Sequence, residues 1–87
     1  MSFIGSSNKQ LNQIFILIPK KEFNKVENYQ GEKIKAKIKD LINDDEIIII
    51  TQIIKQGSNH LLSIYSKYHD DFKNFIGHDL KVTLEKI

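Results

Sequence analysis

The sequence predicts a mainly β fold with two short helices, built as a six-stranded, pseudo-twofold barrel from two ββαβ repeats. Three observations lead to this expectation. When the 87-residue chain is shifted by 46 residues, residues 3–41 lie over residues 49–87 and their apolar positions coincide. Within each copy, alternating apolar residues indicate strands, and one short stretch has helical spacing. Neither copy can bury its apolar face alone, so we expect one domain, 1–87.

The second copy shows each element most clearly. Isoleucine-rich Glu46–Lys55 indicates a strand, Gln56–Asn59 a turn, and His60–Ser66 a partner strand. Tyr68–Ile76 has apolar residues at helical spacing, and His78–Ile87 alternates again as a strand. The second copy therefore predicts a hairpin, a helix and a strand, in that order.

The first copy repeats this order with a weaker beginning. We expect a short strand near Phe3, a loop at Gly5–Asn12, a strand at Gln13–Pro19, a helix at Glu22–Gln30 and a strand at Glu32–Ile42. The two copies share identical residues as well as apolar positions. Such pairs include Lys9 with Lys55, Gln10 with Gln56, and Gly31 with Gly77. The two glycines follow the predicted helices, where a left-handed residue commonly ends a helix.

Part of the first copy resembles the AbrB-type swapped-hairpin domain. The resemblance covers about 30 residues: Ile16-Leu-Ile-Pro-Lys-Lys21, a short helix, Gly31-Glu-Lys33, and alternating Ile34–Lys39. The second copy departs from it, since Tyr65 stands where Pro19 does. Because both copies lie on one chain, the sequence is more similar to the single-chain cradle-loop barrels of RIFT type. The resemblance implies a RIFT-like fold, often archaeal. It also implies DNA binding, which AbrB-type domains achieve chiefly through arginines that this chain lacks.

Composition excludes several classes of protein. There is no cysteine, so disulfides, thiolate metal sites and cysteine nucleophiles are excluded. No apolar run is long enough for a membrane-spanning helix, so we expect no membrane partner. Met1–Gln10 has no signal-peptide pattern, which leads us to expect an intracellular, cytoplasmic protein.

Four lysines alternate with apolar residues, which places their ammonium groups on one outer face of a strand. They are Lys33, Lys35, Lys37 and Lys39. Residues 1–43 hold eight lysines and four acids, and residues 44–87 hold five lysines and seven acids, so +4 and −2 sum to the net charge of +2. The lysine stripe is either a track for nucleic-acid phosphates or a solvated strand face that discourages edge pairing.

Four more lysines are candidates for nucleic-acid contacts. Lys9 and Lys55 recur in the two hairpins, and Lys20 and Lys21 begin the first helix. Loops of this kind often carry function, although lysine is also common on ordinary surfaces.

Catalytic and metal-binding patterns are not found. His60, His69-Asp70-Asp71 and His78-Asp79 match no metal-ligand spacing and have no nucleophile beside them. The four glycines are isolated, so there is no phosphate-binding loop. We therefore expect no enzymatic activity, no metal and no cofactor.

The strand Ile47–Ile54 is apolar on both faces, so one face needs a cover outside the barrel. The chain's own helices could cover it, or a second copy could do so in a homodimer. The leading hypothesis is a non-catalytic nucleic-acid-binding barrel, and the alternative is a protein-interaction or assembly module.

Overall fold

The computed structural model describes residues 1–87 as a mainly β protein with two short helical segments. The strands are β1 (Ser2–Gln10), β2 (Gln13–Leu17), β3 (Ile34–Asp40), β4 (Glu46–Thr51), β5 (Ile53–Gln56), β6 (Asn59–Ile64) and β7 (Asp79–Lys86). The helices α1 (Phe23–Val26) and α2 (His69–Phe72) are each flanked by single 3-10 turns, at Lys20–Glu22 and Glu27–Tyr29, and at Ser66–Tyr68 and Lys73–Phe75. The predicted mainly β class with two short helices is confirmed.

All seven strands belong to one antiparallel sheet with the order β4-β3-β7-β1-β2-β6-β5. Its two end strands, β4 and β5, are separated in the chain by Gln52 alone, so the sheet must curl until its ends meet there. The expected single strand Glu46–Lys55 is thus two strands, because the chain changes its pairing partner from β3 to β6 at Gln52.

Equivalent elements recur 46 positions apart. The helix bounds match residue for residue, since 23–26 becomes 69–72 at this offset. In two strand pairings, residues that are 46 positions apart stand directly opposite each other. Lys37 pairs with Thr83 between β3 and β7, and Ile16 pairs with Leu62 between β2 and β6. Gly31 and Gly77, which follow the two helical segments, have φ values of +79° and +84°. The expected left-handed glycines are confirmed.

The expected loop at Gly5–Asn12 is wrong, because β1 continues through this region to Gln10. Small and polar residues suit the strand here for a steric reason. A Cβ on Gly5 would lie 2.5 Å from the carbonyl oxygen of Leu17, so the two neighbouring strands approach too closely for a side chain. Ser7 is buried and its hydroxyl donates to the carbonyl oxygen of Phe75 at 2.5 Å. Only Leu11 and Asn12 remain as the turn.

The core lies inside the curled sheet. Its predicted residues from β3 and β7 are buried together: Ile34, Ala36, Ile38, Leu80, Val82 and Leu84. The helical segments add Val26, Phe72 and Phe75 to the same core. On the outer face of the isoleucine strand, Ile48 is 54% exposed, whereas Ile50 is half-buried and its N–H donates to the hydroxyl of Tyr68 at 3.1 Å. The helical segments therefore contact part of that strand and leave Ile48 uncovered.

Candidate nucleic-acid interface

The lysine stripe lies on the outer face of β3, as strand alternation predicts. Lys35 and Lys37 are exposed and Lys39 is half-buried, whereas the intervening Ile34, Ala36 and Ile38 are fully buried. Lys33 is exposed immediately before the strand begins. The inward residues anchor β3 in the core, so the strand keeps Lys35, Lys37 and Lys39 on its outer side.

Carboxylates partly neutralise the stripe. The ammonium nitrogen of Lys37 lies 3.1 Å from a Glu46 oxygen, and that of Lys39 lies 3.3 Å from an Asp44 oxygen. Lys35 lies 3.9 Å from a Glu85 oxygen on β7. These pairs are largely exposed, so each contributes little to folding. Three of the four ammonium groups thus already have an internal partner.

Strand register adds a lysine that the sequence pattern did not single out. Lys81 on β7 stands directly opposite Lys39 on β3, and Lys81 has no carboxylate within ion-pair distance. Like charges directly opposite each other on neighbouring strands are destabilising. Only the antiparallel register reveals this pair, since the two residues are far apart in the chain.

The two lysines border a shallow polar depression of about 230 Å³. It is lined by Lys37, Lys39, Lys81, Glu46 and Thr83. Three lysines and one carboxylate therefore line it, while Lys39 is also paired with Asp44 and the Thr83 hydroxyl is hydrogen-bonded to that of Ser2. This combination suits a phosphate or another small oxyanion.

The 46-residue offset supplies an internal comparison for this site. Position 39 corresponds to position 85, and position 81 corresponds to position 35, each at the 46-residue offset. The cross-strand pair Lys39–Lys81 therefore corresponds to the cross-strand pair Glu85–Lys35. Lys35 faces Glu85 and forms an ion pair with it, whereas Lys81 faces Lys39. The fold thus accommodates an opposite-charge pair at this cross-strand position, as Lys35 and Glu85 show, but the equivalent pair Lys39–Lys81 has like charges.

The other predicted lysines do not join this depression. Lys9 and Lys55 are exposed near the ends of β1 and β5. Lys20 and Lys21 are exposed in the 3-10 turn before α1. None of these four lines the depression, and neither do the stripe residues Lys33 and Lys35.

The histidines and acids singled out in the sequence take separate roles. Nδ1 of His78 lies 2.9 Å from Oδ2 of the buried Asp40, and Nε2 of His69 lies 2.9 Å from the carbonyl oxygen of Ile64. His60 is buried against the ring of Phe23, and its Nδ1 has no hydrogen-bond partner. No three His, Asp or Glu side chains converge as a set of metal ligands.

Asp40 is the one residue whose pKa clearly departs from its ordinary value. Burial raises the pKa of its carboxyl group, but hydrogen bonds from Ile42, His78 and Asn43 outweigh burial, and the pKa falls below its ordinary value. Asp40 closes the turn that joins the two repeats, so this carboxylate has a structural role.

The isoleucine strand divides between the core and solvent. Ile49 and Ile53 are buried, Ile47 and Ile50 are half-buried, and Ile48 and Ile54 are exposed. A second apolar surface lies around the β2–β6–β5 face, where a groove of about 360 Å³ includes Phe15, Ile54 and Leu61.

None of the helices has the length and apolar character needed to span a bilayer. In comparisons with known proteins, no family model, no curated protein and no solved structure matches this chain.

Proposed function

We propose that this protein binds nucleic acid without catalysis, through contacts between lysines and backbone phosphates on the outer face of β3 and β7. One observation carries the proposal: Lys39 and Lys81 face each other across two strands, beside a depression that Lys37 also lines. A phosphate between the two ammonium groups would remove their repulsion and replace it with two attractions. Stripe residues Lys33 and Lys35 would extend the contact along β3.

The chemistry of this face favours binding that does not depend on base sequence. Lysine is a compact point charge, and the chain has no arginine to read guanine through two parallel hydrogen bonds. The partner is therefore recognised by its phosphate spacing and charge, and affinity should fall steeply with salt. Such a partner implies a cytoplasmic location, which is part of the proposal.

The proposal includes the finer architecture. We take β4 and β5 as one strand that closes the curled sheet into a six-stranded cradle-loop barrel of RIFT type, formed from two repeats in one domain. The single-residue break at Gln52 and the matching 46-residue registers support this. In such a barrel, the β3–β7 face would be one continuous convex surface.

A second candidate is an assembly module that forms a homodimer through the Ile47–Ile54 strand. The exposure of Ile48, at 54%, favours it, because no part of the chain covers this side chain. On this alternative the lysines beside it serve only solubility, and Ile48→Ser would abolish association.

The nucleic-acid proposal is tested by fluorescence anisotropy with labelled single-stranded DNA, duplex DNA and RNA across a salt series. The double variant Lys39→Gln/Lys81→Gln should bind more weakly to duplex DNA, and the slope of log K against log salt should fall by about 2. Lys67→Gln/Lys73→Gln is the matched control, because it removes the same charge from two exposed lysines outside the β3–β7 face. It should change the slope less. Equal affinity and slope in the double variant and the native protein would overturn the proposed site.

A further inference from the structure

The groove on the β2–β6–β5 face has a counterpart that an aromatic ring fills. At the 46-residue offset, position 69 corresponds to position 23, and position 60 corresponds to position 14. In the counterpart, the ring of Phe23 packs against the ring of His60, with centroids 4.3 Å apart. In the groove, His69 and Ile14 hold these two places, and both line an open volume of about 360 Å³. The groove is therefore open at a place where its counterpart holds a phenylalanine ring.

A hydrogen bond ties the ring of His69 to the end of β6. Its Nε2 lies 2.9 Å from the carbonyl oxygen of Ile64, so the Nε2–H donates to this oxygen. An imidazole is also smaller than a phenyl ring. The histidine thus leaves space that a phenylalanine at the same position would occupy.

The lining of the groove presents apolar area to solvent. Ile54 is 46% exposed and Tyr65 is 38% exposed, and the half-buried Phe15 lies on the same surface. The hydroxyl-bearing Ser63 and the amide-bearing Gln13 add polar groups at the border. Apolar and aromatic side chains with a few polar groups are typical of a site for a small molecule, and a flat ring makes the largest contact with such a wall.

The charge of the groove comes from one lysine. Lys55 lines the groove, no Asp or Glu does so, and the acids of α2, Asp70 and Asp71, lie outside the lining. Lys55 is exposed and has no carboxylate within ion-pair distance. A ligand in the groove therefore meets one unpaired ammonium group and no negative side chain, which favours an anion.

We propose that this groove binds a small molecule with a flat aromatic ring and an anionic group, either a carboxylate or a phosphate. The ring lies against the apolar wall beside Ile14, in the place that corresponds to the ring of Phe23, and the anionic group contacts Lys55. The groove volume of about 360 Å³ is at the lower end of the range of small-molecule sites.

This inference does not depend on nucleic-acid binding. The groove lies on β2, β5 and β6, whereas the lysine depression lies on β3, β4 and β7. No residue lines both, so each site can be removed without change to the other.

An NMR titration of backbone amides with three phenyl compounds gives both the location and the dissociation constant. Benzoate carries a carboxylate, phenyl phosphate carries a phosphate, and benzamide is the neutral analogue. We expect the amides of Phe15, Ile54 and Ser63 to shift and to saturate. The better of the two anions should bind about two- to fivefold more tightly than benzamide, as one exposed ion pair allows. The order of the two anions then shows whether the groove prefers a carboxylate or a phosphate.

Two lysine variants test the anion contact. Lys55→Gln should lower the affinity for the better anion to that for benzamide, because the charge at the groove is lost. Lys9→Gln is the matched control, since Lys9 is the equivalent lysine of the first repeat and does not line the groove. It should leave all three dissociation constants within about twofold of native, as expected of a surface change outside the contact.

Two further variants copy the other repeat and test the place of the ring. His69→Phe copies Phe23 and should fill the groove, so that all three compounds, benzamide included, bind about tenfold more weakly or not at all. Ile54→Asn copies Asn8 and removes part of the apolar wall while it leaves the bond from His69 to Ile64 in place. It should also weaken all three compounds, since the ring loses apolar contact.

Several results would overturn the proposal. These are no saturating shift at millimolar benzoate or phenyl phosphate, shifts confined to the lysine depression, or a preference for the anion that persists in Lys55→Gln. Equal binding of benzamide and both anions would show that the groove takes a purely apolar ligand. Shifts of the same amides that depend on protein concentration without any added compound would show that a second copy occupies the groove, which also contradicts the proposal.

Discussion

Nδ1 of His78 lies 2.9 Å from Oδ2 of Asp40, and this contact joins the end of β3 to the residue before β7. The same carboxylate accepts a hydrogen bond from the backbone N–H of Ile42 at 2.9 Å and one from the side chain of Asn43 at 3.4 Å. Asp40 is fully buried, so its charge is satisfied entirely within the protein. The junction between the repeats is thus organised by one buried carboxylate.

Asp40 should make the protein sensitive to acid. Its folded pKa lies below the ordinary value of 3.8, so the unfolded chain takes up the proton first as the pH falls. The stabilisation is present above that ordinary value and is lost as the pH falls through the lower folded pKa. Urea unfolding between pH 2 and 7 should show this decline. In His78→Ala, which removes one hydrogen bond to the carboxylate, the folded pKa should rise towards its ordinary value, so the decline should be smaller and should end at a higher pH. An unchanged acid profile in that variant would contradict the assignment.

Lys81→Glu should stabilise the protein while it weakens nucleic-acid binding. The substitution places a carboxylate opposite Lys39 in the register where Lys35 faces Glu85. Replacing a like-charge pair by an opposite-charge pair should raise the free energy of unfolding by about 0.2–1 kcal/mol. Lys35→Glu, the matched control, creates a like-charge pair and should lower it by a similar amount. Urea unfolding at low salt measures the free energy of unfolding of both variants, and 1 M salt should remove most of the difference between each variant and the native protein.

Gly5→Ala should be strongly destabilising for a steric reason. The new Cβ would lie 2.5 Å from the backbone oxygen of Leu17, so β1 and β2 would have to separate. We expect a loss of about 1–3 kcal/mol, typical of overpacking. Gly77→Ala is the comparison, since its added Cβ meets nothing within 4 Å and only its positive φ opposes the change. It should cost about 1 kcal/mol. An equal or larger loss for Gly77→Ala would show that the close approach of the strands is not limiting.

Leu11→Gly should stabilise the protein. The left-handed conformation of Leu11 costs about 1–2 kcal/mol, and glycine's greater freedom in the unfolded chain offsets only part of the gain. Thermal or urea unfolding measures the effect. A clear loss of stability would mean that the Leu11 side chain makes a contact within its own chain.

Ile34→Ala tests whether the two repeats share one core. Ile34 is fully buried and its strand pairs with both β4 and β7. The loss should be about 2–5 kcal/mol, and unfolding should remain a single cooperative transition. Ile48→Ser on the exposed face of β4 should change stability by less than about 0.5 kcal/mol. Two separate unfolding transitions would show that the halves are independent.

The sequence by itself was sufficient for the elements that depend on local pattern. Alternation located the buried sides of β3 and β7, and helical spacing located α1 and α2, because each pattern reflects one repeating geometry. The glycines at 31 and 77 identified helix ends for an equally local reason, since each residue's own φ decides it. The shared offset of 46 residues then related the two halves without any contact information.

Tertiary structure decided everything that depends on partners distant in the chain. The Gly5–Asn12 segment has the composition of a loop, yet it is a strand as far as Gln10 because its backbone pairs with β7 and then with β2. The strand break at Gln52 depends on pairing, because the first part of the isoleucine run pairs with β3 and the second part pairs with β6. The candidate site also depends on register: the sequence singles out Lys39 as part of the stripe but gives no reason to place Lys81 beside it. The two lysines come together only because antiparallel pairing brings two like charges, 42 positions apart, onto one face.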